Sequence, residues 1–179
     1  MVRKWESTRG MDPDSFGYNY QTPDSQYLNA NGTVQALVDI VSKNGNFLLD
    51  IGPRNDGTIA DIMVQGLIEA GTWIHAHAES LFGTRYWSVT PGLENFRYTT
   101  TQDAFYIHYL TTPGTTVHIP DKVPYLPGDK VTVLGGKKNG TPVTVTKNDD
   151  GTISLGLSSA QVTGDKYVWT FKLAYTSKS

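Results

Sequence analysis

Two carboxylate residues stand where an enzyme could use them. Glu6 directly follows Trp5, and Asp50 lies in a short apolar run. An apolar ring beside a carboxyl group favours its neutral form, which suits a general acid, whereas an ionised carboxylate can act as a base or a nucleophile. From spacing alone, Glu6 is more typical of a solvated side chain. Asp50 is more typical of a carboxylate that binds backbone N–H groups of the following turn.

Glu6 precedes a predicted helix–strand–helix unit, and Asp50 lies in its central strand. Thr33 is the predicted N-cap of the first helix, whose apolar face contains Val34, Leu37, Val38 and Val41. The run Phe47–Ile51 is apolar without alternation, which predicts a strand covered on both faces, as in a parallel sheet. A second apolar stripe predicts a helix over Ala60–Ser80, and residues 1–32, which show no sustained period, are predicted to form loops.

The second half of the chain has a different texture. After residue 87, about seven short β-branched and aromatic runs alternate with turns rich in Gly, Pro, Asn and Asp, which predicts an antiparallel β-sandwich. The predicted fold class is therefore α/β followed by all-β, with domains at 1–87 and 88–179. A parallel strand between helices is typical of an α/β barrel or a doubly wound sheet. A complete (β/α)8 barrel takes about 200 residues or more, so residues 1–87 suffice only for its last strand–helix units.

The central block of the sequence carries a family resemblance. Residues 37–53 (LVDIVSKNGNFLLDIGP), together with residues 5–6 (WE), 15–18 (SFGY) and 83–87 (GTRYW), resemble the α-L-fucosidases of glycoside hydrolase family 29. The resemblance implies a (β/α)8-like barrel followed by a β-sandwich. It also implies retaining hydrolysis of terminal α-L-fucosides by an Asp nucleophile and a Glu acid/base.

Carried over residue by residue, the resemblance makes Glu6 the acid/base. The family's nucleophile and its substrate-binding histidines lie upstream of this motif, so the chain is interpreted as the carboxyl-terminal portion of a fucosidase that is inactive alone. Four residues at three places depart from the family pattern, which usually has Asn at Asp50, Asn-Gly at His77-Ala78 and Pro at Tyr86. The first departure puts a carboxylate near the active face, and the others concern local turns.

Aromatic residues near Glu6 are the candidate substrate-binding residues. Trp5 and Phe16 are expected to stack on the apolar face of a sugar, although Trp5, Phe16, Tyr18 and Tyr20 could equally fill loop packing. No metal or cofactor is expected, because His75 and His77 are two residues apart and do not share a helix face.

Two other functions remain open from the sequence. One is a non-catalytic carbohydrate-binding or structural β-sandwich, which could use Tyr106, Tyr109, Tyr125 or Trp169, although alternation assigns most of these residues to the core. The other is a fragment without function, because an incomplete barrel leaves a strand edge and apolar helix faces uncovered.

Composition narrows the partners and the compartment. A net charge of −2 provides no basic surface for nucleic acid, and no apolar run is long enough to cross a membrane. The first residues lack the apolar segment of a signal peptide. Two sequons, at Asn31 and Asn139, are nevertheless compatible with a secreted or extracellular protein, or with a lysosomal or vacuolar one in a eukaryote. The expected partner is a fucosylated glycan, and the oligomeric state is not predicted.

Overall fold

The computed structural model describes residues 3–176, and its amino-terminal part is a β-α-β-α unit. Strand β1 (Trp5–Gly10) is followed by helix α1 (Ala30–Ser42), strand β2 (Gly45–Asp50) and helix α2 (Asp61–Ala76). β1 and β2 pair in parallel over their whole lengths. Parallel neighbours need a crossover connection, and α1 provides it.

Strand β1 corrects the expectation that residues 1–32 form only loops. Its side chains alternate between an inner face with the half-buried Trp5 and Ser7 and an outer face with the exposed Glu6 and Thr8. Such a strand contains no apolar run and only one large apolar side chain, so hydrophobic periodicity does not reveal it. Its pairing with β2 is a tertiary contact that local sequence does not encode.

Helix α1 begins earlier than expected. Its N-cap is Asn29, whose side-chain oxygen accepts a hydrogen bond of 2.9 Å from the backbone N–H of Gly32, and the expected cap Thr33 is buried within the first turn. Asn ranks above Thr as an N-cap residue, and its side-chain oxygen satisfies a free N–H of the first turn. At the other end, Asn44 adopts a φ of 67°, the left-handed conformation that commonly follows the end of a helix.

Strand β2 is covered on one face only, which corrects the prediction that both faces are buried. Phe47 and Leu49 are half-buried on the side of the helices, whereas Asn46 and Leu48 are exposed, with Leu48 at 49%. Among residues 3–176, the helices pack against one side of the two-stranded sheet. The apolar run therefore indicated the strand correctly but overestimated its cover.

Helix α2 lies close to its predicted position. It runs from Asp61 to Ala76, and a short 3-10 turn, Ala78–Ser80, completes the predicted range. Met63, Ala70 and Trp73 form its buried stripe. No helix within the described part of the chain combines the length and the apolar character needed to cross a membrane.

The second half forms two antiparallel sheets that pack as a β-sandwich. The strands are β3 (Arg85–Tyr86), β4 (Phe96–Thr100), β5 (Ala104–Tyr109), β6 (Thr116–Ile119), β7 (Lys130–Leu134), β8 (Thr144–Lys147), β9 (Ile153–Gly156) and β10 (Trp169–Ala174), and a short helix α3 (Ser159–Val162) precedes β10. One sheet has the order β3-β4-β5-β10-β7 and the other β6-β9-β8. The seven strands β4–β10 correspond to the seven predicted runs, so the all-β prediction is confirmed for this half.

One apolar core joins the two sheets. Phe105 and Phe171 from the larger sheet pack with Ile119 and Leu155 from the smaller one, and all four are almost completely buried. Alternating inward-facing residues of facing sheets produce such a core. The two residues of β3 pair with β4, so the larger sheet already begins at Arg85. The proposed boundary after residue 87 stays a prediction.

The helical unit is fastened to the sandwich by charged and polar contacts. Arg97 on β4 binds Asp39 on α1 at 2.5 Å, and Lys43 binds the same carboxylate at 2.7 Å. Partial burial alone would raise the pKa of Asp39, but the hydrogen bonds from Lys43 and Arg97 hold that pKa below its ordinary value. A partly buried carboxylate shared by two cations fixes the position of α1 better than an isolated surface pair.

His77 makes a second link, which the sequence did not indicate. Its fully buried ring stacks on Trp73, with 3.8 Å between ring centroids, and its Nε2 lies 3.0 Å from Oδ2 of Asp165, just before β10. On the other side, a Cβ at Gly135 would lie 2.1 Å from Nε2 of His77. The departure from the family pattern at His77 therefore affects more than a local turn, because this residue joins α2 to the sandwich.

A third link passes through buried side chains. The hydroxyl of Thr99 donates to the carbonyl of Ser80 at 2.7 Å, and the ring of His108 lies between the hydroxyls of Thr99 and Thr170 at 3.0 and 3.1 Å. Since Thr99 donates to Ser80, its oxygen accepts from Nε2–H of His108, and Nδ1 accepts from Thr170. Burial, with a smaller effect of His77, lowers the pKa of His108 to about 3, so the ring is neutral.

The first prediction concerns Gly135 and uses Gly57 as its matched control. Both glycines have a left-handed backbone, with φ of 84° and 83°, but only Gly135 faces His77, and nothing lies within 4 Å of a Cβ at Gly57. Ala at either position carries a backbone penalty of about 1 kcal/mol. Gly135→Ala should lower the free energy of unfolding by a further ~1–3 kcal/mol through overpacking, measured by chemical denaturation. Equal losses for the two variants would contradict the His77 contact.

The second prediction concerns the pH dependence of stability. The unfolded chain binds a proton at His108 near pH 6.5, whereas the folded chain binds it only near a pKa of about 3. The free energy of unfolding should therefore fall as the pH is lowered through this interval, by up to about 1.4 kcal/mol per pH unit. Denaturation curves of the wild type and His108→Asn at pH 7, 5 and 4 isolate this slope from that of the carboxylates. Parallel curves for the two proteins would show that His108 does not contribute.

Candidate functional site

The candidate acid/base Glu6 lies on the open face of the two-stranded sheet. Its carboxylate is exposed, and the side-chain amide of Asn46 donates a hydrogen bond of 2.7 Å to its Oε2. Asn46 is the residue directly opposite on β2, so the strand register creates this contact. Thr8 and Leu48 extend the same exposed face. Glu6 is therefore oriented by a neighbouring amide and open to solvent.

Trp5 lies on the other face of the sheet. Its indole N–H donates to the carbonyl of Lys43 at 2.9 Å, and a Cβ at Gly45 would lie 2.7 Å from the indole ring. Successive side chains of a strand point to opposite faces, so the indole does not cover the carboxylate of Glu6. The structure therefore does not pack the indole of Trp5 against the carboxylate of Glu6.

Phe16 lies in the loop that follows β1, and its side chain is 65% exposed. It lines a cavity of about 360 Å³ together with Thr8, Arg9, Gly10, Asp12, Pro13, Asp14 and Ser15. The cavity joins Phe16 to the carboxyl-terminal half of β1, whereas Glu6 and Trp5 are not among its lining residues. The structure therefore brings none of the three candidate residues into direct contact, and their roles stay predictions.

Asp50 shares a face of the sheet with Glu6 but lies too far along it to be a partner. It stands four residues beyond Asn46, the residue opposite Glu6. At about 3.3 Å per residue, this places the two positions roughly 13 Å apart along the strands. Retaining glycosidases need two carboxyl groups about 5–5.5 Å apart. Asp50 is thus unsuited to pair with Glu6, in agreement with the sequence-based expectation that it is not a catalytic carboxylate.

Asp12 organises the loop that carries Phe16, and the sequence analysis did not identify it. Its side chain is 5% exposed, and its Oδ1 accepts a hydrogen bond of 2.9 Å from the backbone N–H of Asp14. Burial, with a contribution from the Asp12 carboxylate, raises the pKa of Tyr27 beside it. The signal in the sequence was Asp12-Pro13-Asp14, since Asp before such a turn binds the backbone two residues on.

Two other kinds of site are a metal centre and a sugar-binding aromatic surface on the sandwich, and the described residues form neither at the candidate positions. No group of three or more His, Cys, Asp or Glu side chains between residues 3 and 176 is arranged to hold a metal ion. In the sandwich, Tyr106 and Trp169 are buried, and Tyr109 and Tyr125 pack against the apolar core. The aromatic residues that a carbohydrate-binding sandwich would expose are therefore occupied in packing.

Comparison with known sequences gives one family. The family model described as alpha-L-fucosidase matches residues 1–79, which include the whole β-α-β-α unit. The plasma alpha-L-fucosidase of Rattus norvegicus is 30% identical over 185 aligned residues, which cover 99% of this chain and 39% of that protein. The alpha-L-fucosidase of Dictyostelium discoideum is 39% identical over 97 residues, which cover 54% of this chain and 21% of that protein.

Comparison with solved structures agrees. The Thermotoga maritima alpha-fucosidase in complex with fucose has a TM-score of 0.85 and 26% identity, and the match covers 97% of this chain and 40% of that one. The Thermotoga maritima enzyme in complex with a mechanism-based inhibitor has a TM-score of 0.86, with coverage of 98% and 40%. This chain thus spans about two fifths of these structures, and between a fifth and two fifths of the two curated relatives named above.

The match of the family model to the unit that carries Glu6, the curated relatives and the structures that align along nearly the whole chain agree with one another. The chain is thus similar to the α-L-fucosidases, and it corresponds to the carboxyl-terminal portion of these proteins.

Proposed function

We propose that this chain supplies the acid/base half of an α-L-fucosidase, which hydrolyses terminal α-L-fucosides of glycans or glycoconjugates with retention of configuration. The observation that carries the proposal is the exposed Glu6 on the open face of β1, oriented by the amide of Asn46 at 2.7 Å. The proteins aligned with this chain are named fucosidases, and one is described in complex with fucose. A fucosylated glycan is accordingly the proposed substrate.

We propose that β1 and β2 are adjacent strands of a (β/α)8-like barrel, with the open face directed toward the barrel interior. The parallel pairing, the crossover helix α1 and the cover by helices on one face only support this arrangement. The exposed Leu48, at 49%, would then pack within the barrel rather than face water. The remaining strands would come from a part of the protein outside this stretch.

The roles of the two carboxyl groups follow from double displacement. Glu6 would protonate the glycosidic oxygen of the leaving group, and later deprotonate the water that hydrolyses the fucosyl-enzyme. The attacking carboxylate would belong to another strand, because Asp50 is roughly 13 Å along the sheet from the position of Glu6. Phe16, at 65% exposed, is the proposed substrate-binding residue, whereas a substrate-binding role of Trp5, whose indole lies on the opposite face of the sheet from Glu6, stays a prediction.

The third prediction tests Glu6 in a longer protein that contains this stretch. Glu6→Gln should lower kcat/KM on a fucoside with a poor leaving group by about 10²–10⁴-fold, because kcat/KM reports the first step, to which general acid catalysis contributes that much. A fucoside with a good leaving group, such as the 2,4-dinitrophenyl glycoside, needs no protonation in that step, so its kcat/KM should fall much less. Glu6→Ala should be rescued by azide, which replaces the water that requires a base.

Two comparisons decide this test. Glu79→Gln changes an exposed carboxylate that binds Lys172 at 3.0 Å on the sandwich, and it should leave both substrates unaffected. The 179-residue chain by itself should show no turnover, because Asp50, the other carboxylate of strands β1 and β2, stands roughly 13 Å along the sheet from the position of Glu6. Robust turnover by this chain, or an equal loss on both substrates in Glu6→Gln, would refute the assigned roles.

We propose further that the protein is secreted or extracellular, or lysosomal or vacuolar in a eukaryote. Both sequon asparagines, Asn31 and Asn139, are exposed and therefore able to carry a glycan. The fourth prediction is that the protein expressed through a eukaryotic secretory pathway loses mass on treatment with peptide:N-glycosidase. Asn31→Gln and Asn139→Gln should each remove one step of that shift. An unchanged mass for the wild type would argue against glycosylation at either site.

A further inference from the structure

The loop after β1 presents an aromatic surface that the acid/base chemistry does not use. Besides Phe16, it exposes Tyr18 at 37% and Tyr20 at 81%. The loop leaves the carboxyl end of β1, the edge of a parallel sheet at which barrel enzymes bind their ligands. Exposed tyrosines of this kind combine an apolar ring with a polar tip, which suits contacts to sugars.

This loop is held in place on both sides. The backbone N–H of Met11 donates to the carbonyl of Asp50 at 3.0 Å, and a Cβ at Gly52 would lie 2.1 Å from the backbone nitrogen of Tyr18. Farther along, the side chain of Asn19 accepts a hydrogen bond of 3.0 Å from the backbone N–H of Gln21. Because the backbone is already ordered, a ligand that stacks on these rings meets little conformational cost.

Arg54 orients one of the two rings. Its guanidinium carbon lies 5.3 Å from the ring centroid of Tyr18, within the range of a cation–π contact. The same guanidinium donates to the hydroxyl of Thr58 and the carbonyl of Ile59, both at 3.3 Å, so it belongs to the turn after β2. Tyr18 is therefore fixed by the neighbouring turn. The hydroxyl of Tyr20, by contrast, accepts a hydrogen bond of 3.4 Å from the side-chain amide of Gln21.

We propose that Tyr18 and Tyr20 form a binding surface for the neutral sugar units to which the fucose is attached. The inference rests on the proposed function, since it places the rest of the glycan next to the fucoside that Glu6 would cleave. The exposed Asp14, which lines the cavity formed by the first part of the same loop, offers an acceptor for sugar hydroxyls. The surface would select glycans by their sugar units, while the reacting bond is handled elsewhere.

The fifth prediction tests this surface with the 179-residue chain and two probes, lactose and 2′-fucosyllactose, in saturation-transfer-difference NMR titrations. Lactose should bind without its fucose, and Tyr20→Ala and Tyr18→Ala should each weaken the binding by about fivefold to tenfold, as expected for the loss of one aromatic contact. Phe82→Ala is the matched control, because Phe82 is 62% exposed but lies beyond α2. It should leave lactose binding unchanged, and thermal melts should confirm that all variants are folded.

The outcomes separate this inference from the proposed function. Lactose binding that depends on the two tyrosines supports the surface, even if 2′-fucosyllactose binds no more tightly, a result that would weigh only against a contribution of this chain to the fucose site. Absence of lactose binding by the wild type overturns the inference. So does an equal loss in Phe82→Ala, or sedimentation data showing that the tyrosines instead mediate self-association of the chain.

Discussion

The two-stranded parallel sheet is covered on one face only, and the candidate site depends on that constraint. The inner face packs its half-buried residues, including Phe47 and Leu49, toward α1 and α2, while the outer face leaves Glu6 and Asn46 open. A two-stranded sheet is not stable in water by itself. The position of Glu6 is therefore maintained by packing on the opposite side of its strand, where no chemistry is proposed.

The β-sandwich is the support for that packing. Asp39 binds Arg97, His77 binds Asp165, and Ser80 accepts from Thr99, so both helices of the unit are attached to the larger sheet through polar groups. Buried polar groups are costly unless every partner is present, so such links specify one relative position of the two halves. The sandwich thus helps to position the unit that carries Glu6, while its own aromatic residues are used in packing.

The open face also bears on which parts of the protein would supply the two carboxyl groups of the proposed reaction. A single exposed carboxylate can donate a proton, but retaining hydrolysis needs a second one within about 5–5.5 Å. The register of β1 and β2 puts Asp50 well beyond that distance, and the proposed mechanism therefore takes the attacking group from another strand. The same edge presents Tyr18 and Tyr20 on an ordered loop, where the remainder of a glycan would lie.

Local signals in the sequence determined the helices α1 and α2, strand β2 and the seven sandwich strands β4–β10, because hydrophobic periodicity and turn residues act over short distances. The motif around Glu6 likewise indicated the resemblance to α-L-fucosidases. Strand β1 could not be found in this way, since its stability comes from pairing with a strand about 40 residues later in the chain.

Tertiary structure alone decided which faces are covered and which residues meet. The apolar run of β2 is equally compatible with one or two covered faces, and only the packing showed that Leu48 is exposed. Trp5 precedes Glu6 in sequence but points away from it, because neighbouring side chains of a strand occupy opposite faces. His77 and Asp165 are 88 residues apart, and their contact exists only because the folded halves bring α2 against the sandwich.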